Sequence, residues 1–190
     1  MVSINKTKAG GDFVEPYRLS ESQGVDCFSN DGCNGGHYYN YWRYSGAYGS
    51  MRSNDYPYQA QKNTCRHNPA LADTKVATVF WYQVTSTVDQ IRAMLELGPI
   101  SIAINVPTHN MMMFEYDGGI IEATADCTGN QNHAVVLVGY EEREDGNTVW
   151  KVQNSWSDQW GAEGFFYLEV ADGFGTCNMN SWAMGVRPLI

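Results

Sequence analysis

The sequence predicts an α+β chain in two lobes, and three observations carry that expectation. Tyr38, Tyr41, Trp42 and Tyr44 recur near helical spacing, which marks a core-facing helix over 37–48. Beyond residue 80 the composition turns β-branched and apolar, in short runs bounded by turn signals. No repeat, low-complexity tract or linker separates the two stretches. Residues 1–80 are therefore expected to form a helical lobe and 81–190 a β-rich lobe of one domain.

The elements follow in order. Val2 and Ile4, stopping at Gly10-Gly11, read as the tail of a helix closed by a glycine cap, with its beginning missing. Asp12 to Arg18, with Pro16, reads as loop. Ser20 with Gln23 three residues on is a capping-box pattern that opens a short helix reaching Cys27. Asn30-Asp31-Gly32-Cys33-Asn34-Gly35-Gly36 is a dense turn signal, whose glycines permit positive φ and a close backbone approach. Asp55 to Tyr58 is a turn, and Cys65 lies in a polar loop. Val76–Val84 predicts a strand. Apolar positions 88, 91, 94, 95 and 97 predict a helix ended by Gly98-Pro99. Ile100–Ile104 alternates as a strand, and Tyr116–Gly119 turns into a short one at Ile120. Val135–Tyr140, Val149–Val152 and Gly164–Val170 complete the strand-rich half.

Composition excludes some functions. Hydrophobic residues make up 43%, enough for a packed core, while the formal net charge of −9 argues against sequence-independent nucleic-acid binding, which needs clustered Lys and Arg. No apolar run approaches the roughly 18 residues of a membrane span. The first residues lack the apolar segment of a signal peptide, so the chain is expected to begin as mature protein, as a fragment or as a cytosolic product. His37, His67 and His109 are scattered without metal-ligand spacing. Met111-Met112-Met113 reads as packing rather than a copper site. No cofactor and no metal are expected.

The chemistry gathers at two strand mouths. Asn132-His133 stands directly before the apolar run of Ala134–Leu137, and Asn154 follows Val149–Val152 with Trp156 beside it. A His and an Asn at the mouths of neighbouring strands can meet as the imidazole and orienting amide of a catalytic triad.

At these residues the chain resembles papain and the cathepsin L-like cysteine peptidases. Leu19-Ser20-Glu21, Asp26-Cys27 and Gly32-Cys33-Asn34-Gly35-Gly36 resemble the family's first blocks. Asp55–Tyr58, Gly98–Ile102, Tyr116–Ile120, Asn132–Val135, Val138-Gly139-Tyr140 and Asn154-Ser155-Trp156, with Trp160-Gly161 and Gly164, follow in family order over almost the whole chain. The resemblance implies a papain-like two-lobed fold, with an antiparallel β-barrel-like second lobe and a cleft between the lobes. It makes His133 the imidazole that pairs with a nucleophilic thiol, Asn154 its orienting partner and Trp156 the cover over their contact. Gly35 and Gly36 would present backbone to an extended peptide. His37, Tyr38, Ala103, Gln131 and Trp182 fall where the family builds its main specificity pocket. Trp182, large for the pocket floor, implies a shallow pocket for a small or flat side chain.

The family's Cys-Gly-Ser-Cys-Trp segment and the Gln before it do not occur here. Residues 2–10 align with the end of the helix that carries the nucleophile, so that Cys is expected before Met1. The chain alone is then expected to be inactive. The resemblance pairs Cys27 with Cys65 and Cys127 with Cys177, each bridge adding about 2–4 kcal/mol. It leaves Cys33 unpaired, its family partner lying just upstream of the nucleophile. Asn5-Lys6-Thr7 is a glycosylation sequon in a region the family makes helical. Ser157 stands where the family usually has Gly, and Gly24-Val25 where it has a larger apolar pair. The His133–Asn154 separation exceeds that of papain, the extra length lying in a polar hairpin over 141–147.

The implied function is cysteine-type endopeptidase activity by a Cys-His-Asn mechanism, in a lysosomal, vacuolar or secreted setting, on peptide or protein substrates. The alternative is a catalytically inactive homologue with a structural or protein-binding role. A second chain supplying or covering the missing helix is a further expected partner; nucleic acid and a membrane span are not.

Overall fold

The structure is a computed structural model that describes residues 17–28, 31–72, 75–81, 86–109 and 112–189. The helix tail expected at 2–8, the Asn5 sequon and residues 82–84 lie outside these. The chain divides into two compact units, Met1–Val79 with Val186–Ile190, and Phe80–Gly185.

Unit 1 holds helix α1 (Glu21–Cys27), a single 3-10 turn (Gly32–Asn34), helix α2 (Tyr38–Tyr48) and most of strand β1 (Lys75–Trp81). The Ser20 hydroxyl caps α1 by accepting the Gln23 N–H at 3.0 Å. The reciprocal half of the expected capping box is not made. Gln23 is fully buried, and its side chain runs inward instead. Its Oε1 accepts the Met51 N–H at 2.7 Å, and its Nε2 donates to the Gly49 carbonyl at 3.0 Å. The Ser20 N–H that Gln23 would have capped donates instead to the Met51 carbonyl at 3.0 Å, so both groups are satisfied without the box.

Asp26, also buried, accepts the Tyr56 hydroxyl at 2.8 Å and the Asn63 N–H at 2.6 Å. Cys27 is bonded to Cys65. Among the described residues of this unit, Met51, Tyr56 and Ala72 form a buried cluster.

Unit 2 begins with helix α3 (Val88–Leu95), opened by a full capping box between Thr87 and Gln90 that the sequence reading did not use. Strands β2 (Ile100–Ile104), β3 (Ile120–Ile121), β4 (His133–Glu142), β5 (Thr148–Gln153), β6 (Phe165–Glu169) and the start of β7 (Met184–Leu189) lie in the order β7-β2-β4-β5-β6-β3. All pairs are antiparallel except β3 with β6. The barrel-like lobe is thus an open, mixed sheet. From Val186 onward the chain belongs to unit 1, a return that the sequence did not signal.

The alternation read in β2 is real: Ile100, Ile102 and Ile104 are buried at 1% exposure or less. They join Val135, Leu137, Trp150, Val152, Phe166 and Leu168 in one core. By the usual measure, each such side chain contributes about 1.5–3 kcal/mol on burial. That core is the platform on which the strand mouths stand.

Candidate active site

The register of β4 and β5 brings the site together. Leu137 stands opposite Val152 and Val136 opposite Gln153. One step further sets Val135 opposite position 154. His133, two residues on from Val135, is then diagonal to Asn154 on the same face, within reach of a long side chain.

The contact is made. His133 Nε2–H donates to Asn154 Oδ1 at 2.9 Å. The Ser155 backbone N–H donates to that same oxygen at 2.8 Å. A backbone N–H needs an acceptor, so the Ser155 bond fixes which end of the amide is oxygen. A carbonyl oxygen only accepts, which places the imidazole proton on Nε2. Nδ1 is then the basic nitrogen of the neutral ring. The Asn154 N–H donates to the Gly164 carbonyl at 2.9 Å, which ties the turn back onto the start of β6. Asn154 Nδ2 is buried and has no partner among the described residues.

Trp156 lies against the imidazole, with ring centroids 4.9 Å apart. Its position is set by rings behind it. Phe114 stacks on it at 5.1 Å with only 6° between planes, and Trp160 meets it edge-on at 5.2 Å. Trp160 is itself anchored by its Nε1–H on the Met113 carbonyl at 3.0 Å and by contact with Tyr116 and Phe166. Met113 is a fully buried core residue. Burial raises the Tyr116 phenol above its ordinary value, so it stays a donor to the Gly119 carbonyl at 2.6 Å. A chain of aromatic contacts thus runs from the core to His133. Phe114 was missed in the sequence, where no periodicity or motif marks it.

The segment entering β4 is held at several points. Asn132 imitates a strand pair with its side chain: Oδ1 accepts the Val106 N–H and Nδ2 donates to the Val106 carbonyl, both at 2.8 Å. Gln131 Nε2 reaches three carbonyl oxygens: Asn178 at 2.8 Å, Ser181 at 3.2 Å and Ala103 at 3.4 Å. Ala103 itself sits on β2 opposite Ala134. Trp182 is half-exposed, in the left-handed region at φ 63°. Cys177 and Asn178 share that conformation at φ 53° and 63°.

Gly35, Gly36, His37, Tyr38 and Cys33 lie in unit 1. Gly35 takes φ 127°, and Gly35 and Gly36 are exposed. His37 is the N-cap of α2, its Nδ1 accepting the Tyr39 N–H at 3.3 Å, a use that sequence reading missed. Burial raises the Tyr38 phenol. Cys127 is bonded to Cys177, and Cys33 carries a free, exposed thiol. Among the described residues, no three His, Cys, Asp or Glu side chains are placed to hold a metal ion. No helix among them is long and apolar enough to cross a membrane.

Comparison with known proteins bears on this arrangement. Residues 3–186 match the family described as papain family cysteine protease. The chain is 34% identical to cathepsin L 1 of Paramecium tetraurelia over 164 residues, 85% of this chain and 48% of that protein. It is 34% identical to pro-cathepsin H of Bos taurus over 180 residues, 90% of this chain and 51% of that protein. The chain thus spans about half the length of these curated relatives. Among solved structures, the bromelain protease from Ananas comosus in complex with the E64 inhibitor superposes with a TM-score of 0.77. The identity there is 25%, over 90% of this chain and 78% of that one. The chain belongs to the papain family of cysteine proteases.

Proposed function

We propose that this chain carries the imidazole–amide half of a cysteine-type endopeptidase. The observation that carries the reading is the His133 Nε2–Asn154 Oδ1 bond beneath Trp156. With Nε2 committed to Asn154, Nδ1 is the nitrogen available to a thiol. In the proposed reaction Nδ1 takes the thiol proton, and the thiolate adds to the scissile carbonyl. The tetrahedral intermediate collapses as the imidazolium protonates the leaving amine, which forms a thioester. Water, deprotonated by the same nitrogen, then releases the acid and restores the thiol.

Four of the five cysteines are spent in disulfides, and the family resemblance assigns the fifth, Cys33, to a disulfide rather than to His133. The attacking thiol is therefore assigned to a residue beyond these five. Gly35, Gly36, His37, Tyr38, Ala103 and Trp182 are assigned to binding an extended peptide. Two disulfides and relationship to cathepsins support a lysosomal, vacuolar or secreted setting. That none of the chain's own cysteines is assigned to His133 favours one second reading, an inactive homologue that binds proteins.

One experiment separates them. The native protein is weighed intact, treated with a thiol-directed epoxide and offered fluorogenic peptides. The peptidase reading expects a mass above that of these 190 residues, one epoxide bound, and hydrolysis lost in His133→Ala. A native mass equal to this chain, with no label and no hydrolysis, establishes the inactive homologue.

A further inference from the structure

The buried amide of Gln23 is locked in one orientation. Its Oε1 accepts the Met51 N–H at 2.7 Å, and its Nε2 donates to the Gly49 carbonyl at 3.0 Å. A flipped amide would set nitrogen against an N–H and oxygen against a carbonyl, so only the observed orientation satisfies both ends. Nε2 has a second hydrogen, and it faces two acceptors, Tyr44 Oη at 3.2 Å and His67 Nδ1 at 3.1 Å. Opposite a fixed donor, Nδ1 is the bare nitrogen of a neutral imidazole whose proton sits on Nε2.

Nothing around His67 is built to welcome a positive charge. Tyr44 and Tyr48 of α2 meet its ring at 75°, with centroids 6.2 and 6.3 Å away. On α1, Glu21 is exposed, and the Asp26 carboxylate is taken by the Tyr56 hydroxyl and the Asn63 N–H. The guanidinium groups of Arg43, Arg52 and Arg66 lie over the rings of Tyr39, Tyr17 and Tyr56. Among the described residues, no carboxylate forms an ion pair with His67.

His67 lies in a short span between two anchors. Cys65 is bonded to Cys27, and Ala72 packs in the buried cluster of unit 1. Between the anchors, the Arg66 N–H donates to Tyr56 Oη at 3.2 Å and the Asn68 N–H reaches Met51 Sδ at 3.4 Å.

We infer that His67 is an acid-released latch: through Gln23 its neutral ring holds residues 66–71 against α1 and α2, and its second proton lets that span go. Histidine takes up this proton in the mildly acidic range. Nδ1 then becomes a donor facing a donor, which Gln23 cannot resolve by flipping. Opening is thus coupled to proton uptake. The contact's contribution is complete while the ring is neutral and is lost as pH falls. Both anchors hold in acid, so the release is local. The latch is independent of the peptidase reading.

Amide exchange of the full native protein tests this, each rate being divided by the unfolded-chain rate at the same pH. From about pH 7.5 to about pH 5.5, protection of the Arg66 and Asn68 amides should fall at least about tenfold. The Ser53 amide, bound to the Arg18 carbonyl in the same unit, and that of Leu137 in the other should change less than about twofold. His67→Asn offers Gln23 an acceptor oxygen that takes no proton, so its protection should stay at the parent's neutral value throughout. Protection in the parent that does not change with pH overturns the latch. So does a fall that persists in His67→Asn, or an equal fall at Ser53, which would mean that acid opens the whole unit. If His67→Asn is loose at both pH values, the imidazole 15N shifts of the parent decide. A neutral Nε2–H tautomer whose protonation keeps step with the lost protection supports the latch. An Nδ1–H tautomer, or protonation out of step with the loss, overturns it.

Discussion

At the scale of single residues, the Asn154 oxygen is the pivot. It accepts from both His133 and Ser155, so the ring is oriented by an atom that is itself oriented by backbone. Asn154→Ala removes that oxygen and lets the imidazole rotate. On the peptidase reading, epoxide labelling should slow by about 10²-fold while the melting temperature shifts little. Labelling at the parental rate would show that the bond is dispensable. Ser157 allows a prediction of opposite sign. It sits at φ 78°, where its side chain is disfavoured, and its Oγ offsets part of that cost by accepting the Gln159 N–H at 3.2 Å. Ser157→Gly should therefore stabilise by about 0.5 kcal/mol, the relief of left-handed strain exceeding the lost bond and the added chain entropy. A lower denaturation midpoint in Ser157→Gly would mean that the Oγ bond governs the turn. His133, Asn154 and Trp156 were legible in the sequence because they lie in contiguous blocks. The carbonyl contacts of Gln131 and the stacking of Phe114 were not legible, because they depend on acceptors and rings brought close only by the fold.

At the scale of elements, departures from the family's usual residues find local compensation. Gly24 lies inside α1, where glycine costs about 1 kcal/mol relative to alanine. A Cβ there would stand 3.0 Å from two carbons of the Tyr41 ring. Tyr41 thus occupies the space that a larger residue at 24 would need, and its hydroxyl contacts Ser50 Oγ at 3.1 Å. Gly24→Leu alone should destabilise by about 1–3 kcal/mol through overpacking, and Tyr41→Ala should recover part of that loss in the double variant. Additive losses in urea denaturation would rule out the exchange of volume. Most elements were legible from period and punctuation. The reciprocal Gln23 cap was not, because burial of that amide is a tertiary fact, and neither was the return of β7 to unit 1.

At the scale of the molecule, the two units are built on different physics. Unit 2 rests on a broad apolar core that includes Ile102, Leu137, Trp150 and Phe166. Among its described residues, unit 1 has the cluster of Met51, Tyr56 and Ala72, with a buried polar network around Gln23 and Asp26 and the Cys27–Cys65 bridge. The bridges also differ in access: Cys65 is exposed, whereas Cys127 and Cys177 are each 1% exposed. Mild reductant should open Cys27–Cys65 first, and its loss should cost unit 1 about 2–4 kcal/mol. Amide exchange should then collapse around α1 while β2, β4 and β5 stay protected. Simultaneous loss in both units would show that they open as one.

The irregularity in β4 has a consequence for the length of the chain between His133 and Asn154. The register of β4 against β5 shifts between Leu137 and Gly139, beyond the pairs that set His133 beside Asn154. The ladder on the hairpin side is therefore out of phase with the ladder on the side of His133 and Asn154. Residues inserted near Asp145-Gly146 extend the distal arm, and the core-bound pairs of Val136 and Leu137 absorb none of the change. The hairpin is a mechanically insulated attachment point. It can lengthen, shorten or carry foreign sequence while the spacing of His133 and Asn154 stays constant.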